Sequence, residues 1–343
     1  MNSMDRTLAA ITHKEADRVP LFLLLSLYGA KELQIPVREY FSRPENVVRA
    51  QLQMKDKYRN DVLDTFFYAP IEIEAWGGEV VFVDDGPPNS GEPFLRSIKD
   101  ISNMEVPKVA DCAGLRRVLE TTIALKAEVG EEAPIVGVVI SPFSLPVMQI
   151  GFEKYLELMF FHPVEFNHLM HINEEFCVSW ANAQLDAGAT AICYFDPLAS
   201  PNMIEHERYL ATGHIVAKRT LSRIKGPTAT HLASGIAFPV IDDLIATGTA
   251  IVGISAEDDL IGMKNACRNR ICLLGNLDAL EMRRWSRDRA IRKVRDVIAK
   301  AGEGGGLILS DNHGEIPMQV PEDVLLAISD AVQEYGRYPL VLR

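Results

Sequence analysis

Thr190-Ala191-Ile192-Cys193-Tyr194-Phe195-Asp196-Pro197 is the stretch on which the fold turns. Its apolar run stops at an aspartate and a proline, with Gly188 just before it. A run this short, rich in β-branched and aromatic residues and bounded by Gly, Asp and Pro, reads as a strand rather than a helix. Apolar and polar residues do not alternate along it. A strand with one wet face would alternate, so this one is covered on both faces, as parallel strands are.

The same signature recurs on either side. Towards the C-terminus it reappears at Thr228–Leu232, Ala250–Ser255, Ile271–Gly275 and Gly306–Ser310. Towards the N-terminus it is found at Pro134–Ile140, Val62–Phe67 and Val19–Ser26. Amphipathic helical stretches separate most of these runs: Pro44–Tyr58, Gly114–Val129, Pro163–Leu185, Met203–Ile224, Val240–Ala246, Arg287–Ala301 and Pro321–Tyr335. Pro163 suits a first helical turn, where its missing N–H has no intrahelical partner to lose. Eight strands alternating with helices predict an α/β fold, the closed (β/α)8 or TIM barrel, with a doubly wound open sheet as the alternative. One segment breaks the alternation. Ile71–Glu74 and Glu79–Asp84, joined through Trp76-Gly77-Gly78, read as a β-hairpin inserted after the second strand. No linker or repeat interrupts the pattern, so residues 1–343 are read as one barrel domain.

With 343 residues, 48% hydrophobic and 24% charged, the chain can bury a sizeable core. Its net charge of −12 disfavours nucleic acid and anionic membrane surfaces as partners. Five cysteines, an odd number without a CxxC pair, read as reduced thiols of a cytoplasmic protein. The apolar run Leu21–Leu27 is too short to span a bilayer and lacks the pattern of a signal peptide.

In such barrels the working residues gather at the C-terminal ends of the strands, because those loops share one rim. The polar candidates there are Ser26 and Tyr28, Tyr68, Ser141, Tyr194 and Asp196, His231, Glu257, Asn276 and Asp278, and the run Asp311-Asn312-His313-Gly314-Glu315. The glycine run Gly304–Gly306 follows a helix and precedes a strand, the reverse of a phosphate cradle, and reads as a cap and turn. His231 and His313 are read three ways: zinc ligands, proton donors, or plain hydrogen-bonded histidines. A catalytic zinc takes three protein ligands, and Asp196 and Glu315 are competent to complete the set.

Five stretches carry a resemblance: Ala16-Asp17-Arg18-Val19-Pro20, Ile140-Ser141-Pro142-Phe143-Ser144, Asp196-Pro197-Leu198-Ala199-Ser200, Gly275-Asn276-Leu277-Asp278 and the Pro317 to Pro321 region. In order and over nearly the whole chain, they resemble the uroporphyrinogen decarboxylase superfamily, in its branch of corrinoid-linked methyltransferases. The resemblance implies a (β/α)8 barrel, in agreement with the strand count. Porphyrin decarboxylases of the superfamily look to carry an arginine-rich loop after the first strand for the substrate carboxylates. Here that loop is Leu24-Leu25-Ser26-Leu27-Tyr28-Gly29 and has no arginine, so an acidic tetrapyrrole would lack its partners.

The branch similar to methylcobamide:coenzyme M methyltransferases carries a zinc site of His-x-Cys plus a distant Cys. His231 matches its first position, while Ala233 and His313 stand where the cysteines would be. Imidazole and carboxylate in place of thiolate make a harder, more Lewis-acidic metal, suited to an oxygen leaving group. That points to relatives resembling the methyltransferase I components of O-demethylase systems. The implied reaction moves a methyl group from a small donor, a methoxyaromatic ether, to the Co(I) of a partner corrinoid protein. Zinc on the ether oxygen, or a proton from His231 or His313, would assist the leaving group. Asp196 is then the third ligand or the orienter of a histidine, with Glu315 as a further ligand. Tyr28, Tyr68, Phe143, Tyr194 and Trp76 would line the donor pocket with Asn276 at its rim, unless they merely pack. The corrinoid must come from a second protein, since the Asp-x-His-x-x-Gly signature of corrinoid domains begins at Asp311-Asn312-His313 and fails at Ile316. The alternatives are a methylcobamide:thiol methyltransferase, a decarboxylase, and a non-catalytic binding barrel.

Overall fold

In the computed structural model, which describes residues 1–341, all eight apolar runs become strands of one parallel sheet. They are β1 (Leu21–Phe22), β2 (Leu63–Asp64), β3 (Ile135–Ile140), β4 (Ala191–Phe195), β5 (Thr228–His231), β6 (Ile251–Gly253), β7 (Cys272–Leu277) and β8 (Leu307–Asp311). Their spatial order is β1-β8-β7-β6-β5-β4-β3-β2, a TIM barrel with one seam between β1 and β2.

The seam is closed by one backbone bond and a set of side-chain bonds rather than by a ladder. The Asp61 N–H donates to the Leu21 carbonyl at 2.8 Å. In return the Leu21 N–H donates to Asp61 Oδ2 at 2.8 Å. One step along, the Asn60 carboxamide accepts from the Leu23 N–H at 2.8 Å and donates to the Leu23 carbonyl at 3.0 Å. Buried backbone groups that lack a strand partner must find one elsewhere, and Asn60 and Asp61 supply it. The Asp61 charge is in turn balanced by Arg6 at 2.6 Å and Arg18 at 2.7 Å.

Phe22, Leu24, Val62, Ala229, Ile251, Cys272, Leu274 and Ile308 fill the barrel interior, together with Ala10 of the helix Ser3–Ile11. That helix lies across the N-terminal face and closes the interior from below: Met4, Thr7, Leu8 and Ile11 line the same small apolar cavity as the strand residues. Outside the barrel, the helices Pro44–Tyr58 and Arg287–Ala301 have the bounds their periodicity indicates. Met203–Ile224 is not one helix. It is two, His206–Ala211 and Gly213–Leu221, broken at Thr212 so that the backbone at Gly213 comes close to Phe143. A Cβ at Gly213 would stand 2.6 Å from that ring.

The inserted hairpin is displaced from its expected place. Val80–Val81 pairs antiparallel with Asn89–Ser90, so only the second expected arm is a strand. Ile71–Glu74 belongs instead to a 3-10 turn, Ala69–Trp76. Glu72 holds that turn to the barrel by accepting the Ile140 N–H at 2.8 Å, and Gly77, with φ +78°, ends it. No helix among the described residues is long and apolar enough to cross a membrane.

Candidate active site at the barrel mouth

Alternation along a strand sends every second side chain to the same face. Continuing upward from the interior residues, Val62 leads to Asp64, Ala229 to His231, Ile251 to Gly253 and Leu274 to Asn276. These form the top layer of the barrel, where the sequence places its working residues.

His231 sits at the centre, only 1% exposed. Its Nδ1 accepts the Ala233 N–H at 3.0 Å, which Ala233 can present because its backbone adopts a left-handed φ of 52°. The ring stacks on Phe195 at 5.0 Å between centroids and 5° between planes. The opposite position, Gly253, has no room for a side chain: a Cβ there would stand 2.4 Å from His231 Cδ2. Burial, with His313 nearby adding to it, pushes the imidazole pKa down to about 3. The ring is therefore neutral at ordinary pH. Since Nδ1 accepts a backbone N–H, the hydrogen-bond pattern assigns the proton to Nε2, which is buried and has no partner.

His313, half-buried, stands opposite with its Nδ1 2.8 Å from the Ser234 hydroxyl. Its backbone is fixed by Asp311, whose Oδ1 accepts the N–H groups of His313 and Gly314, each at 2.9 Å. Three carboxyl groups near this corner of the mouth act on one another through their charges. Glu315 Oε1 accepts the Ser26 hydroxyl at 2.7 Å and the Leu27 N–H at 3.2 Å. Burial raises Glu315 to about 7, with the Asp311 charge contributing. Burial also raises Asp64 to about 7, helped by Glu315 and Asp311, and lifts Asp311 above the usual carboxylate range. Asp64 escaped the sequence reading because it lies inside an apolar run. The available signal was that it is the only charged residue between Val62 and Phe67.

Asp196 is placed differently from expectation. Its Oδ1 accepts the hydroxyls of Ser141 at 2.6 Å and Ser144 at 2.7 Å, and burial raises it to about 6. Its link to His231 is a backbone one, the Asp196 N–H donating to the His231 carbonyl at 2.8 Å. It thus fixes the strand end and does not touch the ring.

The expected zinc set does not form. His231 presents an N–H rather than a lone pair at Nε2, His313 Nδ1 is engaged by Ser234, and Asp196 and Glu315 are held by other hydroxyls. Among the described residues, no three His, Cys, Asp or Glu side chains converge on one point. This donor arrangement does not fit a zinc ion.

The expected aromatic wall is also largely packing. Tyr28 is fully buried and donates to the Val320 carbonyl at 3.0 Å. Phe143 lies between Tyr155 and Tyr209, and Tyr194 is fully buried on the outer face of β4. Tyr68 is buried against Phe82 of the insertion and donates to Glu74 at 2.8 Å. Trp76, half-buried, stacks on Phe94 outside the barrel. Asn276 remains at the rim, its Nδ2 donating to the Ser255 carbonyl at 2.9 Å. The partly exposed rings at strand ends are Phe66 and Phe195, which the sequence reading did not single out. All five cysteines are unpaired and buried.

A family model described as uroporphyrinogen decarboxylase (URO-D) matches residues 2–335 of this chain. Uroporphyrinogen decarboxylase of Methylococcus capsulatus is 26% identical over 85% of this chain and 85% of its own length. That of Idiomarina loihiensis is 24% identical over 97% of this chain and 96% of its own length. Among solved structures, a methyltransferase from Methanosarcina mazei has a TM-score of 0.86 at 21% identity, covering 98% of this chain and 99% of that one. A B12-independent methionine synthase from Shewanella has a TM-score of 0.52 at 13% identity, covering 87% and 89%. At such identities these two structures share the fold with this chain.

Proposed function

The chain belongs to the uroporphyrinogen decarboxylase family, and we propose that within it the protein is a corrinoid-linked methyltransferase rather than a decarboxylase. The observation that carries this reading is the engagement of the loop after β1. It has no arginine, and its Ser26 hydroxyl and Leu27 N–H already hold an internal carboxyl, Glu315. A polycarboxylate arriving at this loop would find no guanidinium, and would find the donors of Ser26 and Leu27 already taken. The close overall likeness to a protein named as a methyltransferase is compatible with the reading.

The substrate is proposed to be a methoxyaromatic ether. A corrinoid Co(I) on a partner protein would supply the electron pair that takes the methyl group. The carbon–oxygen bond breaks with its pair on oxygen, and the burden on this chain is the phenolate left behind. The neutral His231 imidazole offers its Nε2–H to that oxygen from a dry, fixed position, where a hydrogen bond to developing charge is strongest. Glu315 and Asp64, protonated up to about pH 7, are the proton source. A carboxyl of that pKa can protonate a phenolate, whose conjugate acid titrates near ~10. Phe195 and Phe66 flank the arene, and His313 stands at the entrance. The buried unpaired cysteines fit a reducing cytoplasm.

The test is anoxic cob(I)alamin followed by absorbance, with methoxyaromatics, methylamines and methylated thiols offered in turn. Conversion by methoxyaromatics is expected, and His231→Ala should lower it by roughly 10²–10³-fold. The names of the sequence relatives favour decarboxylation as the second reading. Release of CO2 from uroporphyrinogen without methyl transfer would establish that reading instead. Loss of transfer on chelation, restored by zinc, would show that the mouth rearranges around a metal and would refute the acid-assisted step.

A further inference from the structure

Between the helix Val37–Ser42, the turn Ala69–Trp76 and the inserted hairpin lies a cavity of about 360 Å3, walled by Arg38, Phe41, Tyr68, Glu74, Phe82 and Arg117. This falls within the roughly 300–1,000 Å3 of small-molecule sites. None of the residues around His231 lines it.

Three rings form one wall: Phe41 and Tyr68 are edge-on at 5.3 Å between centroids, and Tyr68 and Phe82 at 5.4 Å. Two guanidinium groups face them. Arg38 lies 4.4 Å from the centroid of Phe82, and Arg117 has a buried Nε without a hydrogen-bond partner. Arg117 lies close enough to the Tyr68 hydroxyl to favour its ionised form, and both guanidinium groups belong to a chain whose net charge is −12. The carboxylate in the wall, Glu74, accepts the Tyr68 hydroxyl at 2.8 Å. Two guanidinium groups against one carboxylate leave the cavity one positive charge in excess.

We propose that this cavity is a second small-molecule site, separate from the barrel mouth, and that it binds an aromatic carboxylate. The arene packs edge-on or offset against Tyr68 and Phe82. The carboxylate reaches Arg38 and Arg117, whose planar donors match its two oxygens. The excess positive charge selects a monoanion, and the ring wall selects an arene over a plain inorganic anion.

Isothermal titration of the full chain with benzoate, benzamide and inorganic phosphate tests this without reference to methyl transfer. Benzoate is expected to bind at one site, with benzamide and phosphate each weaker by about tenfold or more, since each lacks one recognised feature. Arg38→Met and Arg117→Met should each weaken benzoate by a similar factor, and Arg38→Lys should recover part of the loss. Arg38 is exposed, so its variants report even if Arg117→Met does not fold. His231→Ala should bind benzoate as the wild type does. The proposal is overturned if benzoate does not bind, if Arg38→Met leaves its affinity unchanged, if benzamide or phosphate binds equally well, or if His231→Ala abolishes binding and so places benzoate in the mouth.

Discussion

Gly253→Ala puts the geometry around His231 to a direct test. The added methyl would stand 2.4 Å from His231 Cδ2, 2.8 Å from Cγ and 3.0 Å from Nε2. Ordinary contact begins near 3.4 Å, so the ring must retreat by 3.4 − 2.4 = 1.0 Å. It cannot do so freely, because its face is stacked on Phe195 at 5.0 Å and its Nδ1 is held by Ala233 at 3.0 Å. The φ of Gly253 lies outside the left-handed region, so the effect is one of space alone. Overpacking of this kind costs about 1–3 kcal/mol. In a chain of this size that lowers Tm by only a few degrees, roughly 2–4 °C per kcal/mol or less. Activity should suffer far more, since a 1 Å misplacement of a working group can cost about 10²-fold. The measurements are calorimetric melting and the cob(I)alamin assay, repeated in a His231→Ala background where the clash is gone. If Gly253→Ala keeps wild-type activity, or destabilises the His231→Ala protein as much as the wild type, the tight seat assigned to His231 is wrong.

The Asp64 carboxyl, raised from 3.8 to about 7 by burial, favours its protonated form in the folded chain. Its stabilising contribution is present below about pH 4 and is lost as pH rises through 7. Asp64→Asn should therefore gain in urea midpoint relative to wild type on going from pH 5 to pH 8, and a pH-independent difference between the two would contradict the assignment. Asp61→Asn removes the charge that Arg6, Arg18 and the Leu21 N–H share at the seam. It should destabilise by about 3–5 kcal/mol in denaturant unfolding, and a loss under 1 kcal/mol would mean the seam is closed by other contacts.

Much of the architecture was legible locally. The bounds of Pro44–Tyr58 and Arg287–Ala301 follow from amphipathic periodicity, Pro44 sitting where a helix begins and Gly302 where one ends. The strand ends at Phe195, His231 and Asp311 fall within a residue of where the apolar runs stop. The hairpin was misplaced because Ile71, Ile73 and the glycines after them satisfy the local rule for a strand and turn. Burial of Glu72 against the Ile140 N–H, a contact across 68 residues, decides for a 3-10 turn. Similarly, Gly213 hints locally at the break in Met203–Ile224, but the close approach to Phe143 that leaves room there for glycine alone lies far back in the chain.

By itself the sequence determined that short, doubly covered strands alternate with helices, which leaves a closed barrel and an open doubly wound sheet as the two choices, and the tertiary structure decided for the barrel. Only the tertiary structure decided which side chains face the axis. In strands covered on both sides, both faces are apolar, so period-two reading cannot tell inside from outside. Tyr194 therefore looked like a wall of the mouth and lies on the outer face, while Asp64 looked like a strand residue and lies on the axis. The same holds for the carboxyl cluster. Ser26 and Glu315 meet across 289 residues of chain, and the closure of β1 against β8 brings them together where burial raises the proton affinity of Glu315. Local periodicity sets the elements. The burial that gives a side chain its chemistry belongs to the closed barrel.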